Sequence, residues 1–80
     1  MMTWQESELF GIKSGGMAPE IRAAFKVELA TVTKLANKLT KVELLAAAPG
    51  PGLMKFSKAA LVMRAITLHM AKWEAEQEVA

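Results

Sequence analysis

The strongest constraint in the sequence is a repeat of apolar side chains near its end. Between Leu53 and Gln77 these side chains recur every three or four residues, the spacing that returns a residue to one face of an α-helix. The members of this first stripe are Phe56, Ala59, Met63, Ile66, Met70 and Trp73. No segment alternates with a period of two, so no strand is predicted. An amphipathic helix of this length must bury its apolar face against other helices.

A second set of apolar residues in the same region lies away from the first stripe. Leu61 and Leu68 are seven positions apart and share a side of the predicted helix, and Met54 lies on that side as well. A helix with apolar groups on two sides meets two neighbours. We therefore expect the first stripe in the core and the second at an interface with another chain.

A short helix is predicted at the start of the chain. Thr3 followed by Glu6 has the spacing of a capping box, which predicts a helix over about residues 4–10. Gly11 is expected to end this helix in a left-handed conformation. The side chains expected to fold back onto the core are Trp4, Leu9 and Phe10, with Ile12.

A long helix and another short one are predicted in the middle of the chain. Pro19 suits a first helical turn and begins a long helix over about residues 19–39. Its apolar stripe comprises Ile21, Phe25, Leu29, Val32, Ala36 and Leu39, with Leu35 at the rim. The pattern loses phase near Thr40, and the pair Thr40 and Glu43 forms a second capping-box spacing. It predicts a short helix over about residues 41–48.

The segment Pro49–Gly52 separates this short helix from the last one, predicted over about residues 53–77. Its alternating prolines and glycines cannot continue a helix, and the segment is too short for a linker between domains. All 80 residues are therefore predicted to form a single all-α domain. We expect a small three- to four-helix architecture with two long antiparallel helices.

Composition argues against catalysis and metal binding. The chain contains no cysteine, so disulfides and thiolate zinc sites are excluded. His69 is the single histidine, no aspartate is present to orient it, and no glutamate stands four residues away on the same helix. We therefore expect no catalytic residue, no metal site and no cofactor. His69 is expected at a helix rim, hydrogen-bonded to a neighbour or to water.

Glu28 is the most discordant residue in the long second helix. It lies within the apolar stripe, between Phe25 and Val32. A carboxylate at the rim of the helix, paired with a cation such as Arg64, is the simpler interpretation because such pairs are common. A role in binding a partner is the alternative.

No feature of the sequence predicts a membrane location. Apolar runs such as Ala59–Met63 are much shorter than the roughly 20 residues that a spanning helix needs. The first ten residues carry Glu6 and Glu8 where a secretion signal has a basic region and an apolar run. The sequence therefore predicts a cytoplasmic protein with no membrane partner.

The leading functional hypothesis is a small non-enzymatic regulator that binds another protein, as an adaptor, inhibitor or regulatory subunit. A second copy of the chain, giving a homodimer, is one such partner. The second apolar side of the last helix is the predicted contact surface. The residues expected there are the anchors Met54, Leu61 and Leu68 and the surrounding cations Lys58, Arg64 and Lys72.

The alternative is a small nucleic-acid-binding regulator that uses a lysine face of the second helix. The residues of that face are Lys26, Lys34, Lys38 and Lys41. Ammonium groups in this arrangement can contact phosphates without reading sequence. The pattern is a modest one, because only Arg22 lies nearby to read base edges and no exposed aromatic residue is expected among the lysines.

Overall fold

The computed structural model describes the backbone of residues 3–79 and the side chains of all of these except positions 14, 78 and 79. Its α-helices are α1 (Trp4–Lys13), α2 (Pro19–Lys38), α3 (Lys41–Ala47) and α4 (Lys58–Val79). Short 3-10 turns occupy Ser14–Gly16 and Leu53–Lys55. No strand occurs between residues 3 and 79. The predicted all-α class is confirmed.

The long helices α2 and α4 pack against each other and run antiparallel. The rings of Phe25 and Trp73 are 5.9 Å apart between centroids. About one turn later in α2, Glu28 contacts His69, which lies about one turn earlier in α4. Later residues of α2 thus contact earlier residues of α4, which shows that the two helices are antiparallel. The predicted antiparallel pair is confirmed.

The core lies mainly between these two helices. Its fully buried centre is formed by Phe25, Leu29, Ile66 and Met70. The other helices each add a leucine, Leu9 from α1 and Leu44 from α3. Burial of side chains of this size contributes about 1.5–3 kcal/mol each, so the α2–α4 contact dominates the stability of the fold.

Helix α2 begins at Pro19, as predicted, and has the predicted apolar face. Phe25, Leu29 and Ala36 are buried on that face, and Val32 and Leu39 pack against the cluster at its edge. The helix ends at Lys38, one residue before the predicted end. The spacing of apolar residues located the core side of this helix correctly.

Helix α1 differs from the prediction at its end and on its outer side. It continues through Gly11 to Lys13. Gly11 has no positive φ, because among residues 3–79 only Gly52 is left-handed. Leu9 packs into the core as expected, but Trp4 and Ile12 are exposed. The expectation that Trp4 and Ile12 fold onto the core is wrong, because a single short helix presents only one side to its neighbours.

Helix α4 begins at Lys58, five residues later than predicted. Gly52 adopts a φ of 73°, which favours glycine, and the 3-10 turn that follows ends at Phe56 in an extended conformation. Ser57 then caps α4, because its Oγ accepts a hydrogen bond from Ala60 N at 3.3 Å. This local geometry replaces the predicted first turn of the helix.

The late start of α4 changes which residues enter the core. Phe56 and Ala59 belong to the predicted first stripe, but both are exposed. Leu61 and Val62 are buried in their place. Ile66 and Met70, further along the stripe, are buried as predicted.

The start of α3 is fixed by the predicted capping box. Glu43 N donates to Thr40 Oγ1 at 3.2 Å, and Thr40 N donates to Glu43 Oε1 at 2.8 Å. The hydrogen bond that the carboxylate accepts from the Thr40 backbone, followed by an interaction with the Thr40 side chain, favours the charged form and lowers the pKa of Glu43 below its ordinary value. The capping-box prediction for α3 is confirmed.

Replacing Thr40 with alanine is expected to lower the free energy of unfolding by about 1 kcal/mol, because the first turn of α3 loses its cap. Urea unfolding measures the loss.

The lowered pKa of Glu43 stabilises the fold at pH values above the ordinary glutamate pKa of about 4.3. That stability is lost as the pH falls through the folded-state pKa. Urea unfolding from about pH 6 to pH 3 should therefore show a steeper loss for the wild type than for Glu43→Gln.

Thr31→Ala provides the matched control for Thr40→Ala. Thr31 is also exposed, but its Oγ1 donates to Val27 O inside α2 and caps no helix. Its replacement should leave the stability nearly unchanged, because alanine is the better helix former. Equal losses for the two threonines would contradict the capping role of Thr40.

Candidate functional site

The second apolar side of α4 is divided into a covered end and an open end. Leu61 is 3% exposed, whereas Leu68 is 49% exposed. Helix α3 packs against α4, and its Leu44 belongs to the same apolar cluster as Leu61. The expectation that Leu61 lies on an uncovered surface is wrong, because the chain's own short helix folds over that end.

Met54 does not join Leu68 on α4. It lies in the 3-10 turn before the helix, where its side chain is exposed. Its carbonyl oxygen accepts a hydrogen bond from Lys41 Nζ at 2.9 Å. The prediction placed Met54 on α4 because it extended this helix too far toward the N-terminus.

Arg64 supports the end of α3 instead of surrounding an interface. Its Nη1 donates to the Ala48 carbonyl oxygen, and its Nη2 donates to Pro49 O at 3.4 Å. Carbonyls at the end of a helix have no partner within the helix, so a cation from α4 is well placed to bind them. A Cβ on Gly50 would lie 3.2 Å from Arg64 Nη2, so glycine suits the close approach at this position.

The open end of the second side forms a groove between α2 and α4 with a volume of about 500 Å³. We call it the α2–α4 groove. The exposed leucines that line it are Leu35 of α2, which is 57% exposed, and Leu68 of α4. The groove is closed at one end by Ala48 and Pro49, which follow α3. Of the predicted anchors, only Leu68 lines this groove.

Glu28 and His69 bridge the two long helices beside this groove. His69 Nε2 lies 2.7 Å from Glu28 Oε2, and both side chains are partly exposed. The prediction that His69 bonds to a neighbour is confirmed. The expected pairing of Glu28 with Arg64 is wrong, because Arg64 binds the carbonyls after α3.

The predicted cations around the second apolar side are widely separated. Lys72 is exposed and lines the α2–α4 groove. Lys58 is the first residue of α4, and its charge contributes to lowering the pKa of Glu43. Lys72 is therefore the only one of the three predicted cations that lines the groove.

The predicted lysine face is present on α2 without its last member. Lys26, Lys34 and Lys38 are exposed along the helix. Lys41 is the first residue of α3, and its ammonium binds the Met54 carbonyl oxygen. The assignment of Lys41 to the face of the second helix is wrong, because α2 ends before it.

A second cleft lies between the start of α1 and the middle of α2. We call it the α1–α2 cleft, and its volume is about 650 Å³. It is lined by Trp4, Gln5 and Glu6 of α1, preceded by Thr3, and by Ala30, Thr33, Lys34 and Asn37 of α2. Trp4 is 57% exposed beside Lys34, so an exposed aromatic residue does accompany the lysines.

Sequence reasoning missed this role of Trp4, although a signal was present. At about 100° per residue, Trp4 lies about 140° around the helix from Leu9. Both side chains cannot enter the same core from one helix. Since Leu9 is buried, Trp4 must point elsewhere.

The described part of the chain contains no group of three or more histidine, cysteine, aspartate or glutamate side chains placed to hold a metal ion. Within residues 3–79, no helix is long and apolar enough to cross a membrane.

Comparison with protein-family models, curated proteins and solved structures gives no match to this chain.

Proposed function

We propose that this chain is a non-enzymatic protein-binding domain whose α2–α4 groove receives an amphipathic helix of another protein. The observation that supports this function is the pair of exposed leucines, Leu35 and Leu68, in one apolar groove. Contiguous apolar surface of this kind is typical of protein–protein contact sites. A helix laid into a groove between two helices is a common mode of such recognition.

The architecture leaves a place for one more helix. At about 100° per residue, Val32 and Leu35 lie on one flank of the buried stripe of α2. Thr33 lies on the other flank, where it lines the α1–α2 cleft together with residues of α1. Helix α1 therefore occupies one side of the α2–α4 pair, while the groove on the opposite side is empty beyond the end of α3.

The shape of the groove favours another protein over a second copy of this chain. A two-fold dimer would place the same concave surface opposite itself, and neither copy would fill the other's groove. A projecting helix fills it better. From Val32 to Leu39 the groove follows α2 for about 10 Å, the length of about two helical turns.

The chemistry of the lining defines the partner helix further. Its apolar residues should recur at three- and four-residue spacing, so that they contact Leu35 and Leu68 together. An acidic residue beside them would lie near Lys72, whose ammonium makes no ion pair with the side chains described. The expected partner segment is therefore a short apolar helix with a carboxylate at its edge.

Photo-crosslinking from the groove tests this proposal. A photoreactive phenylalanine analogue at position 35 should crosslink one helical segment of a host protein, which mass spectrometry identifies. The matched control places the same group at Val27, which is 67% exposed on α2 but does not line the groove. The same products from both positions, or only crosslinked pairs of this chain, would contradict the proposal.

The crosslinked segment, made as a peptide, then allows an affinity measurement. Leu68→Asp is expected to weaken peptide binding by about 10-fold or more, because a buried interface leucine is replaced by a charge. Val27→Asp should leave the affinity unchanged. Circular dichroism of both variants checks that the helices remain folded. Equal affinities for wild type and Leu68→Asp would contradict the groove as the binding site.

A further inference from the structure

The α1–α2 cleft combines an exposed aromatic ring with a positive charge. Trp4 and Lys34 line the same cleft from two different helices, and neither contributes to the apolar core. Aromatic rings stack on nucleobases, and lysines bind the phosphates beside them. The α2–α4 groove also has a lysine, Lys72, but its ring is the smaller imidazole of His69, which is already bound to Glu28.

Polar side chains stand beside the larger apolar surface of the cleft. Thr33 is completely buried, and its Oγ1 makes no hydrogen bond to any residue whose side chain is described. Asn37 Nδ2 donates to Thr33 O at 2.8 Å, a bond that leaves the amide oxygen of Asn37 as an acceptor. Gln5 is also buried at this contact. Of these three residues, Asn37 is exposed and its amide can reach the edge of a base, whereas Thr33 and Gln5 lie beneath the surface.

The lysines of α2 extend the positive surface beyond the cleft. Lys26, Lys34 and Lys38 are all exposed, and twelve residues of helix separate the first from the last, about 18 Å. A line of this length offers contacts to more than one phosphate. It therefore favours a strand over a free nucleotide.

The carboxylate of Glu6 is the opposing charge in the cleft. It is mostly buried, and its Oε1 accepts a hydrogen bond from the Thr3 hydroxyl at 3.2 Å. Its position at the start of α1 lets the helix dipole offset its charge. The Glu6 carboxylate therefore repels a phosphate bound at Lys34 less strongly than an exposed carboxylate would.

We infer that the α1–α2 cleft and the adjoining lysines of α2 bind single-stranded nucleic acid, with a base stacked on Trp4 and the backbone held by Lys34. This site is distinct from the proposed protein contact, because no residue lines both the α1–α2 cleft and the α2–α4 groove. The base rests on the indole, and the neighbouring phosphates follow Lys26, Lys34 and Lys38 along the helix. Contacts of this kind are tolerant of sequence.

Fluorescence of Trp4 provides a direct test. Trp73→Phe leaves Trp4 as the only tryptophan and keeps an aromatic ring beside Phe25. An oligothymidylate of about 12 nucleotides should quench Trp4 emission as it binds. A duplex of the same length should bind more weakly and quench less. Duplex binding equal to that of the strand, or strand binding without quenching, would overturn the inference.

Substitutions distinguish binding of the strand in the cleft from nonspecific electrostatic attraction to a basic protein. With a dye-labelled strand and anisotropy detection, Trp4→Ala is expected to weaken binding by about 5- to 150-fold. Lys34→Glu should weaken it by about 10-fold or more and reduce the slope of log affinity against log salt concentration by at least about 1. Lys55→Glu makes the same charge change on an exposed residue outside the cleft.

The affinity of Lys55→Glu shows whether the loss in Lys34→Glu is specific to the cleft. Lys55→Glu should keep most of the affinity, whereas an equal loss from Lys55→Glu and Lys34→Glu would overturn the cleft as the site. Thymidine monophosphate distinguishes a strand from a nucleotide. If it saturates Trp4 quenching at the same concentration of phosphate groups as the strand, the cleft binds single nucleotides and the inference of strand binding is wrong.

Discussion

Leu61→Ala is expected to lower the free energy of unfolding by about 2–5 kcal/mol, because it leaves a cavity in the buried cluster that Leu61 shares with Leu44 of α3. A domain of this size has a total stability of roughly 4–12 kcal/mol. The variant should therefore unfold at much lower urea concentration, or be largely unfolded at the start. Far-ultraviolet circular dichroism against urea concentration measures the loss.

Leu68→Ala provides the matched comparison. Leu68 is the same residue type seven positions along the same helix, but about half of its surface is exposed. Its replacement should cost less than about 1 kcal/mol, because little burial is lost. Similar losses from the two substitutions would show that α3 does not separate the buried end of this side from the open end.

Phe25→Ala is expected to cost about 3–5 kcal/mol, the other large effect on stability. Phe25 is completely buried, and its ring lies 6.2 Å from that of Phe10 and 5.9 Å from that of Trp73 between centroids. Its removal opens a cavity where α1, α2 and α4 meet. Thermal unfolding followed by circular dichroism should show a much lower midpoint.

Phe56→Ala is the control for this substitution. Phe56 follows the 3-10 turn and is half exposed, outside the buried cluster. We expect a loss below about 1.5 kcal/mol, because only part of its surface leaves contact with the protein. The sequence assigned Phe25 and Phe56 equally to apolar stripes. A larger loss from Phe56→Ala would therefore restore the predicted stripe and contradict the observed start of α4.

The helices were predictable where local signals agree. Pro19 at the start of α2 and the pair Thr40 and Glu43 at the start of α3 act through neighbouring residues, so the sequence contains their geometry directly. The apolar spacing of α2 also gave its buried side correctly. These features require no knowledge of the rest of the chain.

The start of α4 was less predictable because apolar periodicity does not locate a cap. Counting from Phe56 placed that residue and Ala59 in the core, yet Ser57 caps a helix that begins at Lys58, and both residues are exposed. Leu61 was assigned to a surface for a related reason. The packing of α3 on α4 depends on how the turn between them folds. The spacing of apolar residues within one helix does not predict that packing.

The candidate sites depend even more on contacts between distant parts of the sequence. Leu68 and Lys72 were expected at an interface from α4 alone, and both line the groove. The meeting of Trp4 with Lys34, and of Glu28 with His69, joins residues from different helices. Without the relative positions of those helices, the sequence offered Arg64 and Lys41 as equally good candidates.

The binding of the α3 end by Arg64 has a consequence for partial unfolding of the domain. A seven-residue helix is too short to persist alone, so α3 depends on its cap, on its packing against α4 and on the Arg64 guanidinium, which binds the carbonyls of Ala48 and Pro49 just after the helix. Its amide hydrogens should therefore exchange with solvent through a smaller opening than those of α2 and α4. Opening of α3 removes Leu44 from the apolar cluster that it shares with Leu61, so the unfolding of this one short helix weakens the packing at the start of α4.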